Sequence, residues 1–116
     1  MIELKHYEHK TINKKMFNKW WCYCYLSFKD KNYDNTPILR HKSNNKWFGV
    51  IFEQNKTLYI NLKAKPMDVS ILKDQYPEII LPAWHMNKEH WYKVDVNAIN
   101  NPLLGRLIKI SFDLTK

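Results

Sequence analysis

The sequence predicts an α+β (α/β) fold, a single antiparallel sheet covered by helices. Three observations lead there. Short alternating segments are separated by asparagine-containing turns, the pattern of an antiparallel meander. Of 116 residues, 45% are hydrophobic, 15% aromatic and only 2 are glycine, as in a packed domain and unlike a disordered tail. Two segments carry proline where the first turn of a helix tolerates it. One core suffices at this length, so residues 1–116 are read as a single domain.

From Thr11 to about Phe28 the apolar residues Ile12, Met16, Trp20 and Tyr23 recur at helical spacing, and a helix is expected, although "WCYCY" also has strand character. The polar "KDKNYDNT" that follows reads as a surface connection. Strands are predicted at 37–43, 46–53 and 57–63, with turns at Asn44-Asn45 and at "QNK". Alternation puts Phe48, Val50 and Phe52 on one face of the middle strand, and Leu58, Ile60 and Leu62 on one face of the next. Trp47, Tyr59, Asn61 and Lys63 then occupy the other face.

"KPMDVSILKDQY" reads as a helix opened by Pro66, with Asp68 in the positively polarised first turn and Val69, Leu72 and Tyr76 as its buried stripe. "YPEIILPAW" has neither a helical nor a clean strand pattern. A fourth strand is predicted at 91–96, with Tyr92, Val94 and Val96 on one side and Trp91, Lys93 and Asp95 on the other. The chain closes with a helix, Asn101 as N-cap and Leu103, Leu107, Ile110 and Leu114 as its apolar stripe.

A formal charge of +8 and a pI near 9.5 favour polyanionic partners, because clustered lysine and arginine attract phosphate-rich surfaces. No stretch approaches the roughly 20 apolar residues of a membrane span, and "MIELKHYEHK" lacks the apolar core of a signal peptide. A cytoplasmic protein without a membrane partner is expected. Cys22 and Cys24 are two apart, which is neither a redox Cys-X-X-Cys nor half of a four-cysteine zinc site, so buried reduced thiols are expected.

The segment "HMNKEHW", residues 85–91, concentrates two histidines, a lysine, an asparagine and a tryptophan. His85 and His90 have the chemistry of an acid and a base, with Lys88 or Lys63 as an oxyanion cation. However, the sequence has no glycine-rich phosphate loop and no Gly-X-Ser-X-Gly elbow. Nor does a spacing of five suit two metal ligands on one helical face. No enzyme activity, metal or cofactor is expected. The segment is read instead as a turn leading into the fourth strand, with local hydrogen bonds from His85 and Asn87, core packing by Met86 and Trp91, and Lys88 facing outward.

Four pieces in this order, "NNKWFGVI" at 44–51, "INLKAKP" at 60–66, "HMNKEHW" at 85–91 and the terminal "ISFDLTK", resemble the bacterial MmcQ/YjbR family from about Tyr33 onward. The matching motif positions are Lys46, Trp47, Asn61, Leu62, Lys63, His85, Met86, Asn87, Lys88, His90 and Trp91. The resemblance implies a strand-rich, frataxin-like or double-wing domain, and a DNA-binding role assigned to such proteins largely by analogy of fold. Residues 1–32 depart most from the pattern.

Binding is the function these residues suit best. Arg40, Lys42, Lys46, Lys63, Lys65, Lys88 and Lys93 come from strands and turns that a compact sheet can bring to one face, interleaved with Trp47, Tyr59, Trp84 and Trp91. Cations hold phosphates and aromatics stack on bases, so weak, sequence-tolerant nucleic-acid binding, to DNA first, is expected. No helix reads as a base-contacting recognition element. A solvated lysine face over an aromatic core fits the same residues. A second class is a protein-interaction or adaptor module anchored by an exposed Trp84 or Trp91.

Overall fold

A computed structural model describes the backbone of residues 24–27 and the chain from 37 to 116. Six strands form one antiparallel sheet: β1 (Cys24–Ser27), β2 (Ile38–His41), β3 (Trp47–Gln54), β4 (Thr57–Lys63), β5 (Ile80–Pro82) and β6 (Trp91–Asp95), in the order β1-β2-β3-β4-β6-β5. Among the described residues, helices α1 (Pro66–Gln75) and α2 (Asn101–Thr115) accompany the sheet in an α+β fold.

The turns behave as their residues require. Asn45, at φ 63°, lets the β2–β3 connection close on His41, whose N–H donates to the Lys46 carbonyl at 3.0 Å and whose carbonyl accepts from Asn45 N–H at 2.9 Å. Asn55 and Lys56, both at positive φ, make the two-residue turn between the paired Gln54 and Thr57, with the twist that tight hairpins prefer.

The helix-side core is built on aligned rows. Ile51, Ile60, Val94 and Ile80 are successive register partners across β3, β4, β6 and β5, and all are buried. Leu58, Leu62, Tyr92 and Val96 join them as expected, beneath Val69 of α1 and Leu104, Leu107, Ile108 and Phe112 of α2. The second face is covered too. Ile38, Val50 and Phe52 are buried there, with Trp47, Tyr59, Trp84 and Met86 packed against them.

Phe48 therefore does not share a face with Val50 and Phe52. Leu39 pairs with Gly49 but Arg40 with Trp47, so Phe48 is the extra residue of a bulge and turns into the helix-side core. Gly49 makes the close approach possible, since a Cβ there would lie 2.7 Å from Leu39 Cδ1.

Four other expectations are corrected. The helix expected over 11–28 is a strand at Cys24–Ser27, paired residue by residue with β2, and long-range pairing overrides the local period there. The rest of that segment, and the side chains of Cys22 and Cys24, lie outside the described residues. "YPEIILPAW" contributes the short edge strand β5, ending on Pro82, where a missing N–H is tolerated. The N-cap of α2 is Asn100, whose side chain accepts from Leu103 N–H at 2.8 Å, and not Asn101. The buried stripe of α2 is Leu104, Leu107, Ile108, Ser111, Phe112 and Thr115, whereas Ile110 and Leu114 are 42% and 40% exposed.

Candidate functional site

β2, β4 and β5 finish, and β3 and β6 begin, at the same end of the sheet. That end collects Arg40 from the end of β2, Lys42 and Lys46 from the β2–β3 connection, Lys63 from the end of β4 with Lys65 just beyond it, and Lys88 from the β5–β6 loop. Lys42, Lys46, Lys65 and Lys88 are exposed, and Arg40 and Lys63 half-buried. The opposite end carries Glu53, where β3 nears its turn, and Asp95, where β6 finishes.

On the face away from the helices, cations alternate with rings across the strands. Arg40 lies over its register partner Trp47 at 5.3 Å, and Lys63 over its partner Trp91 at 6.0 Å. Such contacts hold a flexible cation near the sheet by attraction to the ring face. Lys93 is not part of this group. Its ammonium lies 4.4 Å from the Tyr59 ring and donates to Gln54 Oε1 at 2.9 Å, toward the opposite end.

The "HMNKEHW" loop is fastened at both sides. Asn61, fully buried, donates to the Trp84 carbonyl at 2.7 Å and accepts from Trp84 N–H at 3.2 Å, pairing like a strand with a segment that no longer follows the ladder. Trp84 stacks on Phe52 at 4.5 Å, Phe52 stacks on Tyr59, and His85 meets the Trp84 ring edge-on. His85 adopts φ 58°, the left-handed conformation that turns the chain. Asn87 closes the next turn, its side chain accepting from Glu89 N–H at 2.8 Å and its carbonyl from Trp91 N–H at 2.9 Å. The His90 carbonyl accepts from Ala64 N–H at 3.0 Å, which ties the loop to the end of β4. Trp91 is 8% exposed and Met86 packs beside Phe52's cluster, while Lys88 is exposed.

Behind this end sits a polar cluster that sequence reasoning missed. Beyond the Gly49–Leu62 pair the ladder opens, and Ser111 Oγ fills the gap, donating to the Phe48 carbonyl at 2.6 Å and accepting from Lys63 N–H at 2.9 Å. His41, 1% exposed, lies between the rings of Phe48 and Phe112. Its Nε2 is 2.7 Å from Thr115 Oγ1. Since the Thr115 hydroxyl donates to the Ser111 carbonyl at 2.8 Å, the ring is assigned the Nε2–H tautomer, donating to Thr115. Asn44 Nδ2 donates to the Thr115 carbonyl at 3.2 Å. The basic β2–β3 connection is thus anchored on the last turn of α2. The available signal was a serine and a threonine, four apart, in the terminal "ISFDLTK" motif.

Among the described residues no three His, Cys, Asp or Glu side chains gather as metal ligands. Nor is any described helix long and apolar enough to cross a membrane.

The motif positions thus occupy one end of one sheet, and the YjbR family model matches residues 25–114. The chain belongs to the YjbR family. The match reaches β1, further toward the N-terminus than the four motif pieces. A YjbR-type relative, the uncharacterized protein YyaQ of Bacillus subtilis (strain 168), is 34% identical over 97 residues, covering 74% of this chain and 80% of that one. The uncharacterized YbdF of Escherichia coli O157:H7 is 42% identical over 57 residues, covering 48% and 46%. A Pseudomonas syringae crystal structure superposes with TM-score 0.70 at 26% identity, covering 90% of this chain and 100% of that one. A Deinococcus radiodurans structure superposes at 0.68 with 25% identity, covering 79% and 67%.

Proposed function

We propose that this YjbR-family chain is a cytoplasmic nucleic-acid-binding protein without catalytic activity, holding DNA weakly and without sequence preference at the basic end of its sheet. The observation that carries the reading is the convergence of Lys42, Lys46, Lys63, Lys65 and Lys88, with Arg40, on that end from three separate chain segments. Lysines gathered this way meet several phosphates at once, and counterion release drives the association. Two histidines have structural work: His41 is spent on Thr115, and His85 turns the loop against Trp84. An adaptor role would want an exposed aromatic anchor, whereas Trp91 is buried and Trp84 is stacked on Phe52.

Fluorescence anisotropy with random-sequence DNA at several salt concentrations tests the proposal. Saturable binding at low salt that weakens as salt rises is expected. No binding at low salt overturns it.

A further inference from the structure

The three tryptophans of the described site and Tyr59 are already engaged within the protein. Trp91 is 8% exposed and has Lys63 over it, and Trp47 has Arg40 over it and packs on the Ile38, Val50 and Phe52 cluster. Trp84 is stacked on Phe52 and met edge-on by His85, while Tyr59 has Phe52 on it and Lys93 beside it. A stacking platform needs ring faces open to a base, because the ring must lose water to the base and not to its own neighbour. The cations stand differently. Lys42, Lys46, Lys65 and Lys88 are exposed, so the outer layer of the site is ammonium and the inner layer aromatic.

We propose that the site reads nucleic acid through its phosphates alone, and that its ligand is a double helix. This deepens the nucleic-acid reading above and rests on it. A surface that gains nothing from bases prefers the polyanion with the highest charge density. Duplex DNA, with one charge per roughly 1.7 Å of axis, exceeds a single strand, and its counterion release per phosphate is larger. The rings serve to hold Arg40 and Lys63 against the sheet and to pin the loop that carries Lys88.

The test compares three probes of equal length by anisotropy at one low salt concentration: a mixed-sequence duplex, single-stranded oligo(dT), and a single strand whose sugars carry no bases. The duplex is expected to bind at least about threefold tighter than oligo(dT), with the abasic strand within about twofold of oligo(dT). Oligo(dT) binding as tightly as the duplex, or a tenfold loss on removing the bases, overturns phosphate-only reading while leaving nucleic-acid binding in place. Failure of all three probes to bind instead removes the underlying proposal.

Discussion

At His41 a titratable ring is held where water does not reach. Burial is the main cause that lowers its pKa below 6.5, with the Phe112 carbonyl opposing, Lys116 and Lys46 adding to the lowering and Asp113 opposing weakly. The unfolded chain therefore takes up a proton at a pH where the folded chain still does not. The stability that depends on neutral His41 is complete above about pH 6.5 and is lost as pH falls from there through the lowered folded value. Urea midpoints followed from pH 7.5 downward should fall in this window, and more steeply than in His41→Gln. Equal slopes for both proteins would rule the assignment out. Tyr92 poses the opposite case. Its hydroxyl is buried with no hydrogen-bond partner among the described residues, and burial pushes its phenol pKa up. Tyr92→Phe removes a group that lost its water on folding and found nothing in exchange, so the thermal midpoint should stay or rise. A loss above about 1 kcal/mol would reveal a bond to that oxygen.

Among the elements, α2 joins the core to the site. Ser111 is fully buried and satisfies two backbone groups at the opening of the β3–β4 ladder. Ser111→Ala leaves the Phe48 carbonyl and the Lys63 N–H unpaired, at about 1 to 3 kcal/mol for each group. Asn100→Ala at the N-cap should cost about 1 kcal/mol, and Asn101→Ala much less. Urea denaturation of the three variants checks the order, and a larger loss at Asn101 than at Asn100 would reverse the assignment of the cap.

For the whole molecule, fold stability and charge placement separate. Lys46 and Lys88 are exposed and lie on different connections, so Lys46→Glu with Lys88→Glu should change stability by less than about 0.5 kcal/mol per site. The same pair should weaken DNA binding and lower the slope of log affinity against log salt by about 0.9 for each duplex phosphate that is no longer neutralised. Anisotropy salt titrations and thermal melts on one preparation measure both. An unchanged slope in a folded double variant would take these lysines out of the site.

The sequence by itself determined strands β2, β3, β4 and β6 and the cations that, Lys93 excepted, gather at one end of the sheet. Leu58, Ile60 and Leu62, and then Tyr92, Val94 and Val96, alternate so regularly that one buried face is the only way to hide them. The four motif pieces were legible as a resemblance because their residue types are unusual together. Tertiary structure decided the rest. Two apolar stripes run along α2 one residue apart, and Leu103, Ile110 and Leu114 look the more hydrophobic on paper. The helix instead buries Leu104, Ser111 and Thr115, because Ser111 and Thr115 meet a ladder opening and a histidine that lie 63 and 74 residues away in sequence. The bulge that moves Phe48 to the helix side, and the strand at Cys24–Ser27, likewise depend on partners across the sheet. Local periodicity states which faces a segment offers, and only the distant backbone settles which of them finds hydrogen bonds and a core.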